Sequence, residues 1–276
     1  MDTQLCRVTR VTKGDVTIHM FTSPEEGESV NSQIIETQNA LVQIDVPLLK
    51  PYALELRAYI ESLGKPVELV LATHAHPDHW FSLGYFTDKK IRAYRGAIDE
   101  MAALKDIAVG YHTSLHADLM PENVVLPSET IEPGSMVIDG VEFILHRYES
   151  IEANTLMTVE IPSIKTLIAQ DLVYNGCHMY VATRAADGGF TVGNWIDALE
   201  QNKTRGYETV IPGHGAPADN SVFDQCISYL RHVQDVLRTA TTGEEFVSRV
   251  KEAYPSHAIE LMLAMSSFMI YQSTAN

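Results

Sequence analysis

The sequence predicts an α/β protein in which one sheet packs on another and helices cover the outside. Three features of the 276 residues carry that expectation. The first part of the chain reads as short strands rich in β-branched residues. Two later blocks each run from strands into helix, and the pattern after Thr242 is helical throughout. The length sits at the top of the single-domain range, so a sizeable core can form without disulfide staples.

Taken in order, residues 16–21, 32–37 and 40–45 read as strands bounded by Gly, Pro, Asn or Glu. A helix follows over about 51–63, with Leu54, Leu56, Ile60 and Leu63 as its buried side and Gly64 as its stop. Residues 67–72 form a short, largely apolar run, the signature of a strand buried on both faces. Residues 95–109 are predicted helical, and 135–137, 141–148, 155–161 and 166–169 are predicted strands. Then come a helix over 194–203, a strand over 208–211 and a mostly helical stretch over 216–239. Thr242 followed by Glu245 is a capping box opening the tail.

Charge and cysteine usage exclude several classes. Twenty Lys and Arg against thirty-six Asp and Glu leave a formal charge of −16, which repels phosphate backbones and disfavours nucleic acid as a partner. Cys6, Cys177 and Cys226 are an odd set without paired spacing, so no disulfide framework is expected. The first residues show no basic stretch leading into an apolar run. The most apolar stretch, 259–271, contains Glu260 and is too short to span a bilayer. These features lead to the expectation of a cytoplasmic protein that engages no membrane. Met262, Met265 and Met269 in that stretch follow helical spacing and suit core packing or a homodimer through the C-terminal helices.

One segment dominates the chemistry: Thr73-His74-Ala75-His76-Pro77-Asp78-His79-Trp80, directly after the apolar strand. A loop leaving a strand end can turn three histidines and an aspartate inward around a cation, whereas a helix would spread them around its circumference. Imidazole and carboxylate suit zinc, iron and manganese. Pro77 favours an extended conformation at His76 and holds the loop away from helix.

The pattern His74-x-His76-x-Asp78-His79 resembles the signature of the metallo-β-lactamase superfamily, and three further segments agree in order. Asn39-Ala40-Leu41-Val42-Gln43-Ile44-Asp45 is similar to an early apolar strand ending in Asp. Leu167-Ile168-Ala169-Gln170-Asp171 resembles the strand that ends in the metal-bridging aspartate, usually preceded by Gly. Val210-Ile211-Pro212-Gly213-His214-Gly215 matches the late loop that donates the last histidine. The resemblance implies a four-layer αββα sandwich with a metal site at one edge. It implies one domain over 1–276, with a core of about 15–240 and a helical extension of about 241–276. It also implies that His74 and His76 hold a first metal, that Asp78, His79 and His214 hold a second, and that Asp171 bridges them. A buried carboxylate on an apolar run, as at Asp171, is costly unless a cation matches it.

Besides Gln170 before Asp171, the chain departs from the family's pattern in its ligand set. No third histidine for the first metal appears in His146-Arg147-Tyr148-Glu149-Ser150-Ile151-Glu152-Ala153-Asn154-Thr155. His146 falls too early and shares a strand face with Ile144 and Tyr148, which favours a structural role. Either Glu149 or Glu152 completes a two-histidine, one-carboxylate site, favouring Fe2+ or Mn2+ over Zn2+, or the first site is weak and a single metal remains.

The expected reaction is hydrolysis of a small ester, lactone or thioester-like substrate. A bound cation lowers the pKa of water towards roughly 7, and Asp78 or Asp171 orients that water. Tyr174 and His178 are candidates for substrate hydrogen bonds, and Trp80, Phe81, Met179, Tyr180 and Phe190 for an apolar wall. No Gly-x-Ser-x-Gly elbow or Walker-type glycine loop supports a serine hydrolase or nucleotide-binding enzyme. Two rival readings are a mononuclear non-haem iron oxygenase of the same fold and a non-enzymatic metal-binding relative with an incomplete first site.

Overall fold

A computed structural model describes residues 5–271. Its strands form two mixed sheets, of seven and five strands, flanked by helices, as the sequence predicts. The chain divides into two compact units, one running through Arg147 and including Met157–Ile164, the other comprising Tyr148–Leu156 and everything from Lys165 onward.

The first unit holds the seven-stranded sheet. Its strands are β1 (Arg7–Lys13), β2 (Val16–Thr22), β3 (Asn31–Glu36), β4 (Leu41–Ile44), β5 (Val67–Leu71), β6 (Ile91–Ala93) and β7 (Glu129–Thr130), in spatial order β1 to β7. Pairing is antiparallel from β1 to β4 and parallel from β4 to β7. The change of sense follows from the connections. Short connections join the early strands, whereas α1 (Lys50–Ser62) crosses from β4 to β5, α2 (Arg95–His116) from β6 to β7, and residues 72–90, with two 3-10 segments, from β5 to β6. β3 and β4 are buried almost throughout and pack in one apolar core with Leu56, Tyr59 and Ile60 of α1. β8 (Gly134–Ile138) and β9 (Val141–Glu149) pair antiparallel, with Ile138 opposite Val141, and β10 (Thr155–Ile161) follows.

Several sequence expectations need correction here. Leu54 was placed on the buried side of α1, yet it is 45% exposed, because Tyr52, Ala53, Leu56, Tyr59 and Ile60 form the inward stripe and Leu54 falls off it. The helix expected to end near 109 continues to His116. β1 was missed altogether: it is an edge strand whose residues are exposed or half-buried, so it lacks the apolar run that marks the inner strands. His146 is the strand histidine its position suggests, with Nε2 2.8 Å from Glu160 Oε2.

The second unit is built on β11 (Thr166–Asn175) and β12 (Thr209–Gly215), which pair in parallel. Nine of the ten residues of β11 are buried, as a strand covered on both faces must be. Around them pack α3 (Val192–Lys203), α4 (Val222–Leu237), α5 (Gly243–Ala253) and α6 (Glu260–Tyr271). The stretch 216–221, at the start of the mostly helical 216–239, is not helical: Ala218 bridges Val210 antiparallel, with N–H···O bonds of 2.8 and 2.9 Å, and a turn leads into α4. The cap at Thr242 forms, its side chain accepting from Glu245 N–H at 3.2 Å, while Glu245 Oε2 accepts from Thr241 N–H at 2.9 Å.

The tail is not one continuous helix. Pro255 forbids the helical conformation at Tyr254, and α5 stops there. The released segment lays Ala258 beside Cys177, where His178 N–H donates to Ala258 O at 2.8 Å and Ala258 N–H donates to Gly176 O at 2.9 Å. In α6, Met262 is buried and Met269 is exposed, and buried Ser266 accepts from Val181 N–H at 3.0 Å. Among the described residues no helix is long and apolar enough to cross a membrane.

Candidate metal centre

In the first unit the 73–80 loop leaves β5 and folds back under three restraints. His76 is extended, at φ −71° and ψ 133°, as Pro77 demands. Trp80 Nε1–H donates to Ala75 O at 3.0 Å and closes the turn. Thr73 anchors the start: its N–H donates to Asp45 Oδ1 at 2.8 Å and its hydroxyl donates to Asp45 Oδ2 at 2.7 Å. His74, Asp78 and His79 are buried, while His76 is half-buried. The His74 ring lies 4.8 Å from that of His76 and 4.2 Å from that of His79.

This network selects the proton positions. His79 Nδ1 lies 2.8 Å from Asp45 Oδ2, and a carboxylate can only accept, so Nδ1 carries the hydrogen and the lone pair sits on Nε2. The Thr73 hydroxyl spends its proton on Asp45 and therefore accepts from His74 Nδ1, 3.0 Å away. His74 Nε2 is then also the basic nitrogen. A carboxylate behind a histidine that presents its other nitrogen is the usual support of a metal ligand. Burial pushes the Asp45 carboxyl upward, against the opposing pull of His79 and Thr73. Asp45 thus supports the two histidines from behind, and their Nε2 atoms are the donors suited to a cation.

In the second unit β11 carries Asp171 in its interior, not at its end. Gln170 stands where the family usually has Gly and adopts a left-handed φ of 47°. The β11–β12 register slips on both sides of Gln170, a bulge that re-aims the side chain that follows. The Tyr174 hydroxyl donates to Asp171 Oδ2 at 2.7 Å and lies 3.3 Å from Glu152 Oε1. His214 Nε2 is 3.4 Å from Asp171 Oδ2, and the His214 ring stacks on Tyr174 at 4.8 Å and 16°. Glu152, Asp171, Tyr174 and His214 are all buried.

Gly213 explains itself at this point. A Cβ there would lie 1.7 Å from Asp171 Oδ1, so only glycine lets the His214 loop close on the carboxylate. Gly215, at φ 97°, would place a Cβ 2.1 Å from Asn175 O.

The two candidate carboxylates at 149 and 152 differ sharply. Glu149 is exposed and accepts from the Thr155 hydroxyl at 3.0 Å, whereas Glu152 is buried beside Tyr174. His178 packs against Tyr229 and His257. Trp80 and Phe81 belong to the core of the first unit, and Met179 to that of the second, with Tyr180 and Phe190 packed against it.

The supporting role of Asp45 lies outside the histidine motif, and its one signal in the sequence is a carboxylate closing an otherwise apolar strand. His112, buried on α2, carries no motif in the sequence. That side chain is buried against Phe81, and burial holds it down at about 4 despite the nearby charge of Asp78.

His178 yields a pH prediction. The Tyr229 oxygen accepts Met179 N–H at 3.4 Å and lies 3.0 Å from His178 Nδ1, in a buried place that favours the neutral imidazole. Burial pushes His178 from its ordinary 6.5 down to about 4, with His257 adding to the effect. A folded value below the unfolded one contributes stability that is complete above pH 6.5 and is lost as pH falls toward 4. The urea midpoint is expected to decline across that window, and less steeply in His178→Phe. Parallel profiles for the two proteins would contradict this.

Comparison with known proteins bears on these clusters. Residues 28–214 match the model of the metallo-beta-lactamase superfamily. Among solved structures, the chain is similar to a metallo-beta-lactamase from Pontibacter korlensis at 20% identity and TM-score 0.61, covering 82% of this chain and 99% of that one. It is similar to metallo-beta-lactamase IND-7 at 21% identity and TM-score 0.63, over 83% and 100% of the two chains. The mono-zinc form of metallo-beta-lactamase FIM-1 from Pseudomonas aeruginosa aligns at 14% identity and TM-score 0.60, over 81% and 95%. None of the curated proteins matches the sequence.

Proposed function

The chain belongs to the metallo-β-lactamase superfamily, and from that premise we propose that it is a metal-dependent hydrolase of a small ester, lactone or thioester-like substrate. The observation that supports this most strongly is the burial of His74, Asp78, His79, Asp171 and His214. So many ionisable groups are costly in a core unless matched charge accompanies them. The donor set fits a divalent cation, since the hydrogen bonds behind His74 and His79 put both lone pairs on Nε2 and Gly213 keeps room beside Asp171.

The proposed ligands are His74, His76, Asp78, His79, Asp171 and His214, for one or two ions. Glu152 takes the place of the missing histidine, because it is buried where Glu149 is exposed. Zn2+ is the first choice, and a carboxylate at that place also admits Fe2+ or Mn2+. When bound, such a cation supplies water of lowered pKa, near 7, at neutral pH. The protein's own part is to hold the ligands and direct protons. Asp45 fixes the His79 ring, Thr73 fixes His74, and Tyr174 holds Asp171 through its hydroxyl. Asp78 and Asp171 are the proposed bases that orient the attacking water. The −16 charge favours a small molecule over a polyanion. Three buried cysteines without a disulfide agree with a cytoplasmic setting.

The test is elemental analysis of protein purified without chelators, beside hydrolysis of an ester, thioester and lactone panel. Wild type is expected to retain metal and turn over at least one class. Asp171→Ala should lose both, Glu152→Ala should retain less metal, and Glu149→Ala should match wild type. A wild-type protein offered zinc, iron and manganese that keeps none sinks the reading. Oxygen consumption without hydrolysis would replace it with an iron oxygenase, and bound metal without either activity with a non-enzymatic relative.

A further inference from the structure

The loop between β9 and β10 carries Glu152, and one later segment of the second unit holds it in place. Three successive carbonyls of the loop accept hydrogen bonds from side chains of that segment. Ser150 O accepts from Asn194 Nδ2–H at 3.1 Å, Ile151 O from the Thr191 hydroxyl, and Glu152 O from the Thr183 hydroxyl. Ile151, Glu152 and Ala153 are buried, where backbone polar groups need partners. Inside the loop Ser150 takes a left-handed φ of 52°, and its N–H donates to Asn154 O at 3.0 Å. Ile151 N–H donates to Ala153 O at 3.1 Å. The Glu152 carboxylate stands 3.3 Å from the Tyr174 hydroxyl, the same group that donates to Asp171.

Both threonines belong to a closed hairpin. Arg184 bridges Phe190 antiparallel, Thr191 N–H donates to Thr183 O at 3.1 Å, and Ala185 N–H donates to Gly189 O at 2.8 Å. The Arg184 guanidinium lies over the Phe190 ring at 4.2 Å. Thr183 and Thr191 therefore stand side by side at the base of the hairpin. Thr191 is also the N-cap residue of α3, where a threonine hydroxyl ordinarily accepts from the first turn of the helix. It makes no such bond and turns its hydroxyl to Ile151, forty positions earlier. A local preference given up for a distant contact marks a demand at the far end of that contact. Glu152 is the residue there with chemistry to perform. A carboxylate ligand on a long side chain binds a cation well only when its surroundings hold it in one place. We infer that Thr183 and Thr191 are positioning residues, whose hydroxyls fix the backbone at 151 and 152 and so aim the Glu152 carboxylate for a divalent cation. This rests on the reading of Glu152 as the ligand that takes the place of the missing histidine.

Calorimetric titration of the chelator-treated, full-length protein with Mn2+ and with Zn2+ tests this. Thr183→Val and Thr191→Val keep the side-chain shape and remove the hydroxyls. Together they are expected to weaken metal binding about 10–100-fold, the range typical of lost support behind a ligand. Thr191→Ser, which keeps the hydroxyl, should bind like wild type. In a Glu152→Ala background the two valine substitutions should weaken binding no further, because the ligand they position is gone. Thermal melting of the metal-free protein checks that each variant folds. Asn194→Ala, at an exposed position, makes the same comparison with a smaller loss if the valine variants do not fold. Folded valine variants with wild-type affinity overturn the inference when Glu152→Ala does weaken binding. A loss of equal size with and without Glu152 overturns it too, since the hydroxyls would then serve only the fold. Wild-type affinity in Glu152→Ala itself would instead sink the reading of Glu152 as a ligand, and the inference with it.

Discussion

Replacing Asp45 with asparagine is expected to leave the protein folded and to lower its affinity for divalent metal about 10–100-fold. Asparagine keeps the shape and tolerates the left-handed φ of 57° at this position. Its carbonyl oxygen can still accept from Thr73 N–H. Its amide group, however, would face His79 Nδ1 as a donor, forcing the imidazole proton onto Nε2 and removing the lone pair that a cation needs. Asp45→Ala should do more damage. It strands Thr73 N–H, the Thr73 hydroxyl and His79 Nδ1–H in a fully buried place, at a cost of about 3–5 kcal/mol. Metal titration by calorimetry and urea unfolding separate the two effects. Equal metal affinity in Asp45→Asn and wild type would show that Asp45 supports only the fold.

The second large effect is expected at Gly213. In Gly213→Ala the new methyl would sit 1.7 Å from Asp171 Oδ1 and 3.0 Å from the Asp171 backbone nitrogen, so the carboxylate could not keep its place. Either β12 moves away from β11 or Asp171 turns aside, and overpacking of this kind costs about 3 kcal/mol. The parallel ladder that sets Tyr174 opposite His214 would be disturbed with it. The expected result is a lower thermal midpoint together with loss of bound metal. A Gly213→Ala protein with wild-type stability and metal content would mean that the loop gives way more easily than this packing implies.

Much of this was legible in the chain because it is local. His74, His76, Asp78 and His79 lie in a single loop, and Pro77 dictates its extended entry without help from distant residues. Strands β5 and β11 announced themselves by largely apolar runs, and Thr242 by its capping pattern. Edge strand β1 has no such run and was invisible. The break between α5 and α6 hid behind continuous helical periodicity, although Pro255 was there to be weighed. Leu54 shows the limit of periodicity itself, since several apolar phases compete along α1 and only packing chooses among them.

The sequence by itself determined the family, the α/β architecture and the inventory of donor groups, because motif spacing and hydrophobic period are properties of neighbouring residues. The tertiary structure decided how those groups are prepared. Which nitrogen of His79 carries the proton depends on Asp45, thirty-four positions earlier. The separation of Glu149 from Glu152 rests on burial and on Tyr174, twenty-two residues beyond Glu152. The need for glycine at 213 comes from the close approach of β12 to β11. Protonation, burial and steric room arise from contacts between residues distant in sequence, and only the folded chain brings those contacts into being.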